Sequence, residues 1–398
     1  MINENKIKAY ALKNAIAYKG KANSGAVVSS LFAEGLEKSE IKDIMPKIQE
    51  VINEISNLSL DEQKKEFEKL EDVISKRKVR EGLSELPDAE NGVVMRFAPS
   101  PSGAMHVGHA LTSSISYDYV KKYGGTFYVR VEDTNPENIY EPAYELLKKD
   151  ADWLFEGKAK FVIQSDRMEL YYKYAKKLIE FGNAYVCTCS GDDFREFSKK
   201  KKDCPCRSLT PKENLERWEE MLAEENGFDE GGAVLRFKSD MTHKNPAMRD
   251  FPLARINLTE HPRQGKKYRV WPLMNLSVAT DDIEMKMTHV IRAKEHRDNA
   301  ERQKMIFEVL GKKYPWATYL GRWHIKGLRL SASAITRDIK EGKYTGWGDS
   351  RLPTIQALMK KYKPEAFWKM AENRGLSEVD KIIDKEEFFL LLEKFNKT

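Results

Sequence analysis

The sequence predicts an α/β fold built on parallel strands. A β run covers Val93–Phe97, a helix-compatible stretch covers Ala110–Tyr123, and a second β run covers Thr126–Glu132. This order is a βαβ unit, whose strand-to-helix junction is where such sheets place a phosphate-bearing ligand. A later apolar β run ends at Arg292, and a helical region is predicted from Ile355 to Phe395. The fold class therefore rests on strands that alternate with helices in the middle of the chain.

The first 88 residues are predicted to form an all-helical module, and residues 85–92 are the expected linker. Apolar residues recur there at helical spacing. The predicted helices are Lys6–Tyr18, Val27–Gly35, Ser39–Ser56 (stripe Ile41, Ile44, Ile48, Val51, Ile52, Ile55) and Leu60–Leu83 (stripe Phe67, Leu70, Val73, Ile74). The module carries neither histidine nor cysteine. Two interpretations stay open, a purely structural appendage and a surface for RNA or a partner protein.

The composition is that of a protein with two to four domains. The 398 residues include 68 Lys and Arg against 62 Asp and Glu, a formal net charge of +6. This mild excess is compatible with RNA binding and also with an ordinary lysine-rich surface. The N-terminus lacks the apolar core of a signal peptide, and no segment of the sequence is long and apolar enough for a membrane span. We expect a cytoplasmic protein without a membrane partner.

The loop between the first strand and its helix carries the first candidate site. His106 and His109 lie three positions apart, so one face of the helix start presents both imidazoles. Gly108 has no side chain, which allows a flat base to approach the backbone. Free N–H groups at the helix start favour polyphosphate, and two imidazoles can donate to a pentavalent phosphate as its charge grows. A plain helix start with two capping histidines is the alternative.

The run Arg96–His109 resembles the His-Ile-Gly-His signature of class I aminoacyl-tRNA synthetases. Its first part, Arg-Phe-Ala-Pro-Ser-Pro-Ser-Gly, is similar to the glutamyl/glutaminyl branch, as is Arg130–Pro136. The resemblance implies a Rossmann-type catalytic domain that uses ATP and Mg²⁺. It also implies these roles: catalytic His106 and His109, ATP-binding Gly108, and substrate-binding Arg96, Ala98, Ser100 and Glu132.

Glu132 follows the second β run, at the edge where strands of such a sheet face a ligand. A carboxylate at that edge can bind a substrate ammonium group, which is costly to desolvate alone. The resemblance implies this role. Without the resemblance, Glu132-Asp133 is more typical of a turn than of a binding site.

The four cysteines form one cluster: Cys187, Cys189, Cys204 and Cys206. Four thiolates on one loop suit a tetrahedral structural zinc ion, and reduced structural cysteines are the alternative. In the family this segment lies in an insertion that binds the acceptor end of tRNA. Within it we predict a helix at Pro211–Asn226 and a strand near Ala233–Lys238. Met248–Phe251 and Tyr268–Pro272 are predicted as strands that return to the main sheet.

A second match to the family covers Trp271–Asn299. Arg292 offers a planar guanidinium for bidentate binding of a γ-carboxylate, and arginine here marks the glutamate enzymes of the family. Met274 occupies a position where relatives carry a tyrosine that contacts the substrate, so the substrate contacts are altered. Asp298 matches a position that reads the acceptor stem in glutaminyl relatives; by itself it could equally cap a helix.

The second signature of the family falls at Leu330–Ala334. Ser331 and Ser333 are candidate catalytic hydroxyl donors, and a serine-rich loop without function is the alternative. Ala332 and Ala334 stand at the two places where family members carry a lysine. Losing one such contact typically costs about 10²–10³ in rate. Compensation by a nearby cation and a weakened enzyme both stay open; the candidate cations are Arg322, Lys326, Arg329 and Arg337. The resemblance also implies ATP contacts for Arg322 and Leu330, and a tRNA contact for Arg351 in a segment similar to Gly-Trp-Asp-Asp-Pro-Arg-Leu-Pro-Thr.

Together these features predict five parts. They are a helical module at 1–88, the first half of the catalytic domain at 89–182, the acceptor-end insertion with its zinc site at 183–265, the second half of the catalytic domain at 266–320, and the signature loop with a helical stem-contact module at 321–398. The resemblance implies ATP-dependent ligation of glutamate to tRNA(Glu) through a glutamyl-adenylate. Full-length archaeal relatives continue into an all-β anticodon-binding region. We expect either that this region has been truncated from the present sequence or that a separate chain supplies it.

Three alternatives to this function remain. A glutaminyl enzyme is disfavoured by Arg292. A catalytically weak tRNA-binding protein of the same fold is favoured by Ala332, Ala334 and Met274. A nucleotidyltransferase acting on a small acceptor is disfavoured by the long insertion, which has little purpose without an RNA end to hold.

Overall fold

A computed structural model describes residues 2–18, 20–74 and 82–397 of the chain. Its contacts divide the chain into two compact units, Met1–Arg80 and Glu81–Thr398. The division into five parts is finer and stays a prediction. Across the described ranges, no helix combines the length and the apolar character that a membrane span requires.

The first unit is helical, as predicted. Its helices are α1 (Glu4–Ala17), α2 (Ser24–Phe32), α3 (Ile41–Ser56) and α4 (Leu60–Leu70), with short 3₁₀ turns at Lys38–Glu40 and Glu71–Val73. The stripe predicted for α3 is buried at Ile48, Val51, Ile52 and Ile55.

The last helix of this unit is shorter than predicted. α4 ends at Leu70 instead of Leu83, because Leu70 turns to φ −116° and ψ 0° and a 3₁₀ turn follows. The most buried side chain on α4 is polar: Gln63 is 1% exposed, and its Nε2 donates to the carbonyls of Gly20, Ile55 and Leu58. Residues 75–81 of the predicted helix lie outside the described ranges.

The second unit contains the remaining elements. Its helices are α5 (Val107–Tyr123), α6 (Ala143–Leu154), α7 (Met168–Glu180), α8 (Gly191–Lys199), α9 (Pro211–Leu222), α10 (Met274–Glu284), α11 (Arg297–Val309), α12 (Ala332–Lys340), α13 (Ile355–Leu358), α14 (Pro364–Arg374) and α15 (Lys385–Lys397). Its strands are β1 (Val93–Phe97), β2 (Gly125–Val131), β3 (Lys160–Ile163), β4 (Ala184–Cys187), β5 (Val234–Phe237), β6 (Pro252–Ile256), β7 (Val270–Pro272), β8 (His289–Ala293), β9 (Trp316–Leu320), β10 (Trp323–Lys326) and β11 (Lys381–Asp384).

The central strands are parallel, which confirms the predicted α/β fold. β1, β2 and β3 form one sheet in that order, with Val93 opposite Gly125. β8 pairs in parallel with β9. The amide of Thr288, just before β8, donates to the carbonyl of Val94 at 3.1 Å and so places β8 beside β1. The carboxyl ends of β1, β2 and β8 therefore lie together at one edge.

The insertion forms its own antiparallel sheet in the order β4-β5-β6-β7. The prediction that Met248–Phe251 and Tyr268–Pro272 return to the main sheet was wrong, because β6 pairs with β5 and β7 instead. Asp250 takes φ 28° and is fully buried, so the strand begins only at Pro252. α9 also ends early, at Leu222, because the next residue is extended and its carbonyl accepts from Arg269.

The C-terminal region is not purely helical, contrary to the prediction. Gly375 takes φ 64° and ends α14, and the chain then forms β11. The amide of Lys381 donates to the carbonyl of Arg322 at 2.8 Å, so that β11 pairs in parallel with β10. This pairing ties the region to the segment just before the second signature.

Candidate active site

The two histidines of the first signature stack on each other at the start of α5. His106 is the N-cap residue, and its Nδ1 accepts from the amide of His109 at 3.4 Å. The ring centroids lie 3.8 Å apart with an interplanar angle of 17°. The prediction that both imidazoles share one face of the helix start is confirmed.

Both imidazoles are held in the neutral form. Burial, with a smaller contribution from His109, keeps the pKa of His106 well below its ordinary value, and burial lowers the pKa of His109 to about 4. Because Nδ1 of His106 accepts a hydrogen bond, its proton must be on Nε2, which is then available as a donor. Nδ1 of His109 is buried without a hydrogen-bond partner within the described ranges. The pair can therefore donate to a ligand without adding cationic charge.

A cavity of about 590 Å³ lies against these rings. It brings together residues predicted to bind ATP or to act on it: His106, Gly108, His109, Arg322 and Leu330. A Cβ on Gly108 would stand 3.1 Å from the His106 ring. The glycine thus leaves room for the imidazole itself, in addition to any ligand.

A second cavity of about 390 Å³ shares His109 with the first. Its lining includes the six residues predicted to bind the amino acid: Arg96, Ala98, Ser100, Glu132, Met274 and Arg292. Five of them lie at or just after the carboxyl ends of β1, β2 and β8, and they meet because the carboxyl ends of parallel strands share one edge. The sixth, Met274, begins α10 after β7, a strand of the antiparallel sheet. Two adjoining cavities with one histidine between them suit a reaction that joins two ligands.

The two arginines of the second cavity are held differently. Arg96 donates from Nε and Nη2 to the carboxylate of Asp282, at 2.6 and 2.9 Å. Arg292 donates from Nη1 to Oε1 of Gln303 at 2.8 Å, and its Nε is buried and unpaired. Among the residues that the structure describes, no carboxylate lies within ion-pair distance of Arg292. Arg292 is therefore better placed than Arg96 to receive the carboxylate of a ligand.

Glu132 lies at the end of β2, above a buried cation. Its carboxylate accepts from Nη2 of Arg130 at 3.2 Å, and its side chain is 17% exposed. Arg130 is fully buried and also contacts Asp281 and Asp282 at 3.6 and 2.7 Å. This network was not predicted from the sequence, although a charged residue inside an apolar strand was a usable signal.

Met274 begins α10 and is 38% exposed at the mouth of the second cavity. Its Sδ lies 3.5 Å from Nδ2 of Asn299. A thioether is only a weak acceptor and cannot donate, so this wall of the cavity is less polar than a tyrosine would make it.

The two alanines of the second signature have different surroundings in the structure. Ala332 is 7% exposed and packs in a cluster with Ala104, Ile335 and Trp347. Ala334 is half-buried outside that cluster, and its amide donates to Oγ of Ser331 at 3.4 Å. A lysine at 334 would therefore start from a partly exposed position, whereas one at 332 would start inside the packed cluster. Neither Ser331 nor Ser333 belongs to the lining of the two cavities; Ser331 caps α12, and its Oγ is 3.3 Å from that of Ser333.

Two contacts join α12 and the segment after it to the loop of the first signature. Oγ1 of Thr336 donates to the carbonyl of Ser102 at 2.7 Å. Gly103 takes φ 154°, and a Cβ there would overlap the indole of Trp347. The two signature segments are therefore packed together.

The four cysteines converge as predicted. The Sγ atoms of Cys187 and Cys204, and those of Cys189 and Cys206, are 3.9 Å apart, and all four lie within 4.8 Å of one another. Tetrahedral zinc with bonds of about 2.3 Å requires sulfurs about 3.8 Å apart. The donor set and its geometry fit a structural zinc ion.

The two residues predicted to bind tRNA lie outside both cavities. Asp298, in the first turn of α11, accepts from Nδ2 of Asn245 in the insertion at 3.0 Å. Arg351 is largely exposed and donates from Nε to Asp349 at 2.9 Å. Both are accessible at least in part, and their roles stay predictions.

Known proteins resemble this chain along most of its length. The family model for the catalytic domain of class I tRNA synthetases (E and Q) matches residues 92–397. The glutamate–tRNA ligase of Methanocaldococcus jannaschii is 47% identical over 380 residues, which cover 95% of this chain and 68% of that protein. The glutamate–tRNA ligase of Pyrococcus abyssi is 46% identical over 385 residues, covering 93% of this chain and 66% of that protein.

A solved structure supports the fold. A glutamate tRNA ligase from Elizabethkingia meningosepticum, solved in complex with its amino acid, aligns with a TM-score of 0.50 and 22% identity, over 70% of this chain and 60% of that one. The chain spans about two thirds of the length of the two archaeal relatives.

Proposed function

The chain belongs to the class I tRNA synthetases for glutamate and glutamine, and we propose that it ligates glutamate to tRNA(Glu) with ATP through a glutamyl-adenylate. Its archaeal relatives are glutamate–tRNA ligases, and the chain is an aminoacyl-tRNA ligase. The observation that carries the residue roles is the pair of adjoining cavities that share His109.

The charges of the second cavity complement those of glutamate. Glu132 offers a carboxylate to the substrate ammonium group, and Arg292 offers the remaining donors of a guanidinium oriented by Gln303 to the γ-carboxylate. Glutamine presents a neutral amide to Arg292, so the pairing favours glutamate. Arg96 contributes through its remaining donors while Asp282 holds it in place.

The first step forms a mixed anhydride. An α-carboxylate oxygen of glutamate attacks the α-phosphorus of ATP, and the bond from that phosphorus to the bridging oxygen of pyrophosphate breaks. Nε2–H of His106, together with His109, would donate to the phosphate oxygens on which charge develops. No covalent nucleophile from the protein is needed, because positioning and electrostatic stabilisation supply the catalysis.

Magnesium would enter with the nucleotide and neutralise phosphate charge. The lining of the first cavity contains no carboxylate in the part of the chain that the structure describes, so phosphate oxygens would be its main ligands. In the second step, a terminal ribose hydroxyl of the tRNA attacks the activated carbonyl and AMP leaves. The insertion with its structural zinc, Asp298 and Arg351 would hold the acceptor end. A cytoplasmic location follows from these substrates.

A second candidate function rests on Ala334. Because this position lacks a lysine, the same structure is also compatible with a protein that binds ATP and tRNA but catalyses the ligation slowly. Glutamate-dependent ATP–pyrophosphate exchange, with and without tRNA(Glu), decides between them. Exchange that depends on tRNA and prefers glutamate over glutamine supports the ligase. Absence of exchange in the natural chain and in Ala334→Lys, with tRNA binding retained, leaves only the binding function.

A further inference from the structure

A buried carboxylate on α6 holds the backbone of the first signature. Asp150 is fully buried, and its Oδ2 accepts from the amide of Met105 at 2.8 Å, one residue before His106. Its Oδ1 accepts from Nε2 of Gln356 on α13. One side chain thus joins the histidine loop to the segment that follows the second signature.

The same two segments are also joined through their backbones. The amide of Val107 donates to the carbonyl of Pro353 at 2.9 Å, and the amide of Ile355 donates to the carbonyl of Met105 at 2.8 Å. His106 forms an isolated antiparallel bridge with Thr354 between these two bonds. The backbone of His106 is therefore held on one side by 353–355 and, through Met105, on the other by Asp150.

We infer that Asp150 is a positioning residue of the adenylation reaction. Through its hydrogen bonds it orients the His106 imidazole toward the nucleotide cavity and links the histidine loop to Gln356. The inference rests on the proposed function, because it assigns His106 to that reaction. Asp150 lines neither cavity and touches no reacting atom. Its effect reaches the reaction through Met105, and a misplacement of about 1 Å in such a group can cost about 10² in rate.

The hydrogen-bond pattern suggests a substitution that can be repaired. Both partners of Asp150 donate, so the side chain must accept twice. Asparagine accepts only through Oδ1 and donates through Nδ2, and in Asp150→Asn one partner is left facing another donor. In the double variant Asp150→Asn, Gln356→Glu, the amide accepts from Met105 and donates to the new carboxylate. The same two hydrogen bonds are then restored with the charge moved to position 356.

The experiment measures kcat and KM of glutamate-dependent ATP–pyrophosphate exchange in the presence of tRNA(Glu). We expect Asp150→Asn to lower kcat about 100-fold, with glutamate KM and tRNA Kd changed less than threefold. The double variant should recover to within about tenfold of the natural chain. Asp118→Asn is the matched control, since it changes another largely buried aspartate of the same unit outside both cavities, and should keep natural kcat.

The pH dependence of kcat provides a second test, because a purely structural role of Asp150 in packing would not change it. Burial raises the pKa of Asp150 to about 7, against the opposing effects of the Met105 amide, Gln356 and the charge of Lys149. His106, beside Met105, stays neutral above that pH. Because the ionised carboxylate accepts more strongly, kcat of the natural chain should rise through about pH 7, and Asp150→Asn should lose this limb.

Each outcome of these measurements supports or overturns the role of Asp150. A folded Asp150→Asn with natural kcat, or a folded double variant no better than the single one, overturns the inference. If Asp150→Asn does not fold, Gln356→Met removes the second donor and leaves the Met105 bond; unchanged kcat there contradicts the coupling. Absence of exchange in the natural chain counts against the proposed function, whereas an active natural chain unaffected by these variants counts against Asp150 alone.

Discussion

Asp282 binds Arg96 through both carboxylate oxygens, at 2.6 and 2.9 Å, with the two side chains at most 5% exposed. Burial alone would raise the pKa of Asp282, but the charges of Arg96 and Arg130 hold it at about 2. The carboxylate is therefore ionised throughout the useful pH range, and it balances two buried cations beside the proposed glutamate site.

Removing that carboxylate should destabilise the protein strongly. In Asp282→Asn, Arg96 and Arg130 lose a buried counter-charge, and we expect a loss of about 3–5 kcal/mol in the free energy of unfolding, measured by urea denaturation at pH 7. The control Asp152→Asn removes an exposed ion pair with Lys148 and should cost less than about 1 kcal/mol. A similar loss in both variants would contradict a special role for the buried pair.

Ala334→Lys should accelerate adenylate formation. The position is half-buried beside Ser331 at the start of α12, and a restored cation near the departing phosphates should raise kcat of ATP–pyrophosphate exchange by about 10²-fold. The matched variant Ala332→Lys places the same side chain in a packed cluster, and should instead lower the free energy of unfolding by at least about 1–3 kcal/mol. Equal rates in Ala334→Lys and the natural chain would show that another cation already supplies this charge.

Arg292→Gln should raise the KM for glutamate by at least tenfold. Truncating one partner of a buried charged contact typically costs about 2–5 kcal/mol in binding free energy. The KM for ATP should stay within about threefold of its natural value, because Arg292 lines only the second cavity. Gln303→Leu should have a smaller effect in the same direction, because it removes only the hydrogen bond that orients Arg292. Arg297→Gln serves as the control, since Arg297 is half-exposed and outside the cavity. Parallel changes in both KM values would point to general disorder of the site.

One zinc ion per chain should be found by elemental analysis after purification without chelator. Cys189→Ser leaves three thiolates and should lower the zinc content and the Tm, whereas Ser208→Ala, an exposed hydroxyl on the same loop, should change neither. If the natural chain holds no zinc and a chelator leaves its Tm unaltered, the cysteines are reduced structural residues.

Acid should weaken the fold in part through His109. Its pKa falls from 6.5 to about 4 because of burial, so between these values the unfolded chain binds a proton that the folded chain does not. This contribution is fully present above pH 6.5 and is lost as the pH falls toward 4, by about 3 kcal/mol in total. Asp150 and Asp118, whose pKa values burial raises, act in the opposite direction.

The measurement therefore compares the pH dependence of the free energy of unfolding in His109→Gln and in the natural chain. His109→Gln should lose less of its free energy of unfolding between pH 6.5 and pH 4 than the natural chain does. Identical pH dependence of unfolding in both would mean that the pKa of His109 is the same in the folded and unfolded chains.

The sequence predicted the local elements of the catalytic region well. The predicted β run Val93–Phe97 and the predicted end of the next helix at Tyr123 agree with the bounds of β1 and α5. Five of the six substrate residues share a cavity because they lie at or just after the carboxyl ends of β1, β2 and β8. The sixth, Met274, begins α10 after a strand of the antiparallel sheet. The order of strands and helices predicts this edge as the ligand site, whereas the choice of the six residues came from the family resemblance.

The rest depends on contacts distant in sequence. The partner of Arg96 lies 186 positions away, so no local pattern could show that this arginine is already engaged. The strand predicted at Met248–Phe251 fails because Asp250 is buried and accepts from Tyr185 and Arg207. Only the assembled structure shows that Ala332 is packed in a cluster whereas Ala334 is partly exposed.

The contact between Gly103 and Trp347 has a consequence for how this chain can vary. The indole occupies the volume where any other residue at 103 would place its Cβ, and the φ of 154° already disfavours a side chain there. Loss of the aromatic ring at 347 is therefore a necessary first step for any side chain at 103. In families of related sequences the two positions should therefore covary, and the order of substitution along a lineage should be constrained, with the change at 347 preceding the change at 103.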